Sequence, residues 1–175
     1  MSCDYKVYKS ELICKHHGQM VTDLYAVHDF FKKSFPEKDS TWSYQLYNIF
    51  CATSPSPLWY DLLVELKKYI REFIGHDKPL WMQSWLNFHK PEEVLDWHNH
   101  EWPYHGYISI DPKNTETVFD NYKIKNELGN IYIGPGNRMH KVEVIEPFTT
   151  PRITLGFDIH EEPDFPYEQF SLMPI

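Results

Sequence analysis

The sequence predicts a mainly β domain, an antiparallel barrel or sandwich backed by N-terminal helices. Three features of the chain predict it. From Trp81 onward, apolar and polar residues alternate with a period of two, in short runs separated by Asp-Pro, Pro-Gly and Gly-Asn turns. Before residue 80 the apolar spacing is helical instead. Helices precede strands with no βαβ alternation, so a parallel sheet is not expected. The 175 residues suit one domain with a proper core. Residues 1–80 read as helical support and edge strands, 81–159 as the β core, and 160–175 as an extended tail.

Residues 5–14 read as one or two short strands. Met20, Leu24, Val27 and Phe31 form a helical stripe that ends before Pro36. Residues 36–56 are rich in Pro, Ser, Thr and Asp and read as a loop, interrupted by the apolar patch Tyr47–Cys51. The clearest helix runs from Pro57 to Ile74, with Ser56 as N-cap, Pro57 in the first helical position and Gly75 as the stop. Its stripe is Leu58, Leu62, Leu66, Ile70 and Phe73.

In the run from Trp81, one face carries Trp81, Gln83, Trp85, Asn87 and His89, a mixture suited to a pocket wall. Met82, Ser84, Leu86 and Phe88 form the other face, suited to packing under a helix. Further strands are expected at 106–110, 116–121, 129–134, 141–146 and 152–159. The tail from His160 is acidic and broken by prolines, hence extended.

Composition limits function. The net charge of −8 argues against a nucleic-acid binder, which needs basic surface to displace counterions from phosphates. No apolar run is long enough to span a bilayer, and the N-terminal residues lack a secretory core, so a cytoplasmic protein is expected. Cys3, Cys14 and Cys51 read as reduced thiols, and Cys14-Lys15-His16-His17 matches no common zinc spacing.

The chemistry concentrates between Trp97 and Arg152. His98 and His100, two apart, project to the same side of an extended segment. Two buried imidazoles on one side need partners, and a metal ion serves both at once. His140, beside a later strand-like run, is placed to complete the set. His28, His76, His89 and His160 read as structural. On the last strand Arg152, Thr154, Gly156 and Asp158 share one face, and Ile153, Leu155, Phe157 and Ile159 the other. An arginine in mid-strand, buried opposite an apolar set, calls for an anion.

These residues, in this order, resemble the Fe(II)- and 2-oxoglutarate-dependent oxygenases of double-stranded β-helix (jelly-roll, cupin-like) fold. Trp85-Leu86-Asn87-Phe88-His89-Lys90-Pro91 is similar to the strand and turn that precede the family's metal motif. Trp97-His98-Asn99-His100 followed by Gly106–Ile110 resembles its first ligand pair and next strand. Residues 128–136 resemble the strand that leads to its distal histidine, here His140, and Arg152-Ile153-Thr154 resembles the pair that holds the distal carboxylate of 2-oxoglutarate. The likeness is nearest to the small bacterial and phage members with HxH in place of HxD, and it spans residues 81–159.

The resemblance implies Fe(II) held by His98, His100 and His140, and 2-oxoglutarate held by Arg152 and Thr154, with Tyr107, Asn87 and Tyr132 as further hydrogen-bond candidates. It also implies a small-molecule or peptide substrate, with Trp97, Trp102 and Tyr104 as candidates for the substrate mouth. His100 stands where the family has a carboxylate. Glu101 would point away, whereas Asp96 has the parity of a ligand or of an outer partner to an imidazole. Two alternatives stay open: a cupin-like three-histidine metalloenzyme that does not use 2-oxoglutarate, and a non-catalytic jelly-roll binding or structural protein.

Overall fold

The computed structural model describes residues 4–35, 47–53, 56–161 and 171–175. A short strand, β1 (Lys6–Lys9), opens the chain, and Ser10 ends it by accepting a hydrogen bond from the Ile13 amide at 3.2 Å. That cap starts helix α1 (Glu11–Ser34), so the expected strand character of residues 10–14 gives way to helix. Met20, Leu24 and Phe31 are its buried stripe. Residues 36–46 of the expected loop lie outside the described residues. The apolar patch after them is a single helical turn, α2 (Ile49–Ala52), capped by the Asn48 side chain on the Phe50 amide.

Helix α3 (Pro57–Ile74) has the expected bounds. Ser56 occupies the N-cap position without a side-chain cap bond. Gly75 closes the helix with φ +78, a left-handed conformation that costs a glycine nothing. Trp59 joins Leu62, Leu66 and Ile70 on the buried face, its indole nitrogen donating to Asp23 at 2.9 Å.

The remaining strands are β2 (Trp81–His89), β3 (Tyr104–Asp111), β4 (Thr115–Phe119), β5 (Lys123–Lys125), β6 (Asn130–Pro135), β7 (His140–Val144), β8 (Arg152–His160) and β9 (Met173–Pro174). The large sheet has the order β1-β6-β3-β8-β2-β9, the small sheet β5-β4-β7, and every pairing is antiparallel. A single bridge between His98 and His140 adds the 98–100 segment beside β7. From β2 to β8 the chain crosses repeatedly between the two sheets, with β4 and β5 together in the small one, which is the jelly-roll form of a double-stranded β-helix. The expected strand over 116–121 ends at Phe119, because Asp120 and Asn121 turn the chain into β5. The tail is not simply extended: β9 returns to pair with β2, and the Ile175 amide donates to Leu80 at 2.9 Å.

Alternation along the strands divides the molecule into two environments. Met82 and Leu86 of β2, with Ile153, Leu155, Phe157 and Ile159 of β8, are buried together with the stripes of α1 and α3. Each such side chain contributes roughly 1.5–3 kcal/mol on leaving water. The opposite faces of the same strands turn inward between the sheets, and the polar residues lie there. Cys14 and Cys51 are unlinked, while Cys3 lies outside the described residues.

Candidate metal centre

His98, His100 and His140 offer ring nitrogens that all lie within 4.8 Å of one another. Backbone bonds hold them in place. His98 and His140 exchange two, at 2.9 and 2.8 Å, and the His100 amide donates to Gly136 at 2.9 Å. The segment carrying His98 and His100 is therefore an extended stretch pinned at one bridge, not a full strand, yet both rings face the same group.

Hydrogen bonds fix which nitrogen of each ring carries the proton. The Nδ1 of His98 lies 2.7 Å from the Asp96 carbonyl, and the Nδ1 of His140 lies 2.9 Å from that of Arg138. A carbonyl only accepts, so both rings are protonated on Nδ1 and carry their lone pair on Nε2, the form that ligates a metal. Burial, and then the neighbouring His105 and His98, push His140 down to about 2, and burial also lowers His98. Both rings are neutral at physiological pH, as metal ligation requires.

Two residues that sequence reasoning did not assign to the centre join it. His105, on β3, stacks on His100 with ring centroids 3.6 Å apart and planes 12° from parallel. Asp158, directly across from it on β8, lies 2.9 Å from His105 Nδ1 and 3.0 Å from His100 Nδ1. Burial works to raise the Asp158 carboxyl, but the bonds from His100 and His105 outweigh it and bring it down to about 2. Burial, followed by repulsion from His100, lowers His105 to about 4. A usable sequence signal existed for His105, which precedes Tyr107 by two and so shares its strand face. Asp96, the carboxylate candidate by parity, is exposed, and its side chain accepts from the Trp97 amide. It is not among the grouped ligand atoms.

The histidines open onto a cavity of about 400 Å³, open solvent included, which also reaches Arg152, Thr154, Asn87 and Tyr107. Arg152 is 4% exposed. Its Nε donates to Thr115 at 3.4 Å and its Nη1 to Thr154 at 3.2 Å. Burial lowers it to about 10, so it remains a cation, and among the described residues no carboxylate forms an ion pair with it. The Thr154 hydroxyl oxygen accepts from both Arg152 and Asn87 Nδ2, which leaves its own hydrogen to donate. Asn87 is held in turn by the Trp85 indole at 3.2 Å. Burial pushes the Tyr107 phenol up, which keeps it neutral.

Other candidates fall elsewhere. Tyr132 does not line this cavity; it packs behind Tyr107 in an aromatic cluster with Phe119, and its hydroxyl is 3.3 Å from that of Tyr122. Trp97 is 43% exposed with Lys141 over its ring, Trp102 rests on His160, and Tyr104 meets Phe73 edge-on. The apolar walls of the cavity come instead from Trp85, Leu95 and Val142. His89 lies beside Arg152 in the register of β2 and β8, and burial and that charge lower it to about 4. No described helix is long and apolar enough to cross a membrane.

No family model matches the chain, and no curated protein matches it. Solved structures do. These include oxygenases and a cupin. A 2OG-Fe(II) oxygenase family oxidoreductase from Burkholderia pseudomallei is 11% identical with TM-score 0.46, over 61% of this chain and 59% of that one. IDO from Bacillus thuringiensis is 10% identical with TM-score 0.46, over 63% and 60%. A cupin-2 domain protein from Shewanella frigidimarina is 18% identical with TM-score 0.34, over 54% and 92%. The chain thus spans about three fifths of the length of both the oxidoreductase and IDO. Likeness at this level decides nothing about activity; the centre stands on the chain's own side chains.

Proposed function

We propose that this protein is an Fe(II)- and 2-oxoglutarate-dependent oxygenase of hydroxylase type, acting on a small-molecule or peptide substrate in the cytoplasm. One observation carries the reading. A buried arginine with no carboxylate partner among the described residues shares a cavity with three imidazoles whose nitrogens group as metal ligands. A cation kept at that depth is costly unless an anion joins it. A chelating diacid that reaches from a metal to a guanidinium answers both ends of the cavity.

His98, His100 and His140 would hold the metal through Nε2, which leaves positions for exogenous ligands. When bound, Fe(II) and 2-oxoglutarate supply the oxidising chemistry, in which one oxygen atom of O₂ enters the substrate and the other enters succinate, with release of CO₂. The chain's own residues do the positioning. Arg152 offers a fork to the distal carboxylate, Thr154 adds a hydroxyl donor, and Asn87 keeps that hydroxyl oriented. Trp85, Leu95 and Val142 keep water from the walls.

The test is anaerobic addition of Fe(II) and 2-oxoglutarate, with the metal-to-ligand absorption band as readout, followed by oxygen and measurement of succinate. A visible band and slow succinate release even without prime substrate are expected. Iron binding with neither signal would refute the reading. A second reading then takes over, a cupin-like all-histidine metalloenzyme without 2-oxoglutarate. One observation favours it: the buried carboxylate of Asp158 is engaged by imidazole Nδ1 atoms, and the group of His98, His100 and His140 contains no carboxylate, Asp158 belonging to a second group with His100 and His105. Iron bound by neither route would leave a non-catalytic jelly-roll protein.

A further inference from the structure

We infer that Asp158 is the carboxylate of this metal centre acting at one remove, a positioning residue that clamps the stacked rings of His100 and His105 by their Nδ1 atoms. The inference rests on the metal-binding reading above and assigns a place to the negative charge that an all-histidine ligand set lacks.

Geometry leads to it. His105 and Asp158 are direct cross-strand partners in the register of β3 and β8, so their side chains rise from the same face at close spacing. His100 comes from the pinned segment on the other sheet and lies flat on His105 at 3.6 Å. Trp85 stacks beside both rings, with centroids at 5.8 and 6.2 Å. Asp158 is 4% exposed, and its oxygens sit 2.9–3.1 Å from the two Nδ1 atoms. An ionised carboxylate only accepts, so both imidazoles donate from Nδ1, and in the neutral ring that leaves the lone pair on Nε2.

The two nitrogens of one ring point in different directions. Asp158 takes up the Nδ1 of His100, which leaves Nε2 as the nitrogen that His100 has to offer a metal. It orients the ligand and strengthens its basicity through the shared proton, as carboxylates behind metal-bound imidazoles do. His105, held by the same carboxylate, lies against one face of His100 and stops that ring from turning.

Two measurements on the full chain test this. In metal-free wild type labelled with ¹⁵N-histidine, two-bond ¹⁵N–¹H correlation spectra are expected to show His100 and His105 both as Nδ1–H tautomers. Co(II) titration, followed by calorimetry and visible absorption, is expected to give one ion per chain. Affinity should fall about 10- to 100-fold in Asp158→Asn, with part of it recovered in Asp158→Glu.

Nε2–H tautomers in a wild type that binds Co(II) would overturn this inference and leave the metal reading standing. So would Asp158→Asn binding Co(II) as tightly as wild type, or two ions per chain, which would make Asp158 a ligand. A wild type that binds no Co(II) would overturn both. The wild-type tautomers need no variant and decide the matter even if Asp158→Asn fails to fold.

Discussion

Replacing Arg152 by Met should make the metal-free protein more stable while removing its affinity for 2-oxoglutarate. The first half follows from the cost of a buried cation. Burial lowers the guanidinium from 12.5 to about 10. At about 1.4 kcal/mol for each pH unit, holding the charge there costs roughly 3 kcal/mol. Methionine occupies a similar unbranched volume without the charge. The change also deletes donors to Thr115 and Thr154, each worth about 1 kcal/mol. The net gain is about 1–2 kcal/mol, which for a chain of this size raises Tm by about 2–8 °C. The second half follows from the loss of a charge-assisted, bidentate partner in a desolvated site. That costs about 3 kcal/mol, a hundredfold or more in Kd. Thermal melts of both proteins, with and without 2-oxoglutarate and Co(II), measure the two effects together. Wild type should gain stability on adding the diacid, and Arg152→Met should start higher and gain nothing. A variant that melts lower than wild type yet still responds to the diacid would show that Arg152 is a structural residue.

Three further outcomes are expected. Gly156→Ala should destabilise the fold by about 1–3 kcal/mol and weaken diacid binding, because the added Cβ would lie 2.5 Å from the Trp85 ring that holds Asn87; chemical denaturation and the absorption titration report the two effects. Metal-free protein should lose stability on acidification. His89 in the fold sits at about 4, below its value of about 6.5 in an unfolded chain. The unfolded state therefore takes up the proton first between those values, so stability is full above pH 6.5 and falls toward pH 4. Denaturation at pH 7 and pH 5 should differ by about 2 kcal/mol on this account, and His89→Gln should reduce the difference. Tyr132→Phe should leave 2-oxoglutarate affinity within about twofold, since that hydroxyl turns to Tyr122, whereas Thr154→Val should lower it about tenfold.

Apart from α2, β5, β9 and the first half of α1, the sequence by itself determined where the helices and strands lie and which face of β2 and β8 is polar. These are local matters: a cap such as Gly75 and a period of two or 3.6 act within one element. Parity on β8 separated Arg152 and Thr154 from Ile153 and Leu155 before any strand was paired. Where local signals competed, the reading slipped by a few residues. Ser10 falls in a stretch that reads as strand, and only its bond to the Ile13 amide shows it to be a cap. Tertiary structure alone decided the company each residue keeps. Tyr132 and Tyr107 look alike in the chain, yet the sheet order turns one hydroxyl to Tyr122 and sets the other residue on the wall of the histidine-lined cavity. His105 and Asp158 lie far apart in sequence, and their meeting depends on the register between β3 and β8, which strand pairing fixes and no local period encodes. The buried carboxylate beside the histidines thus comes from across the sheet.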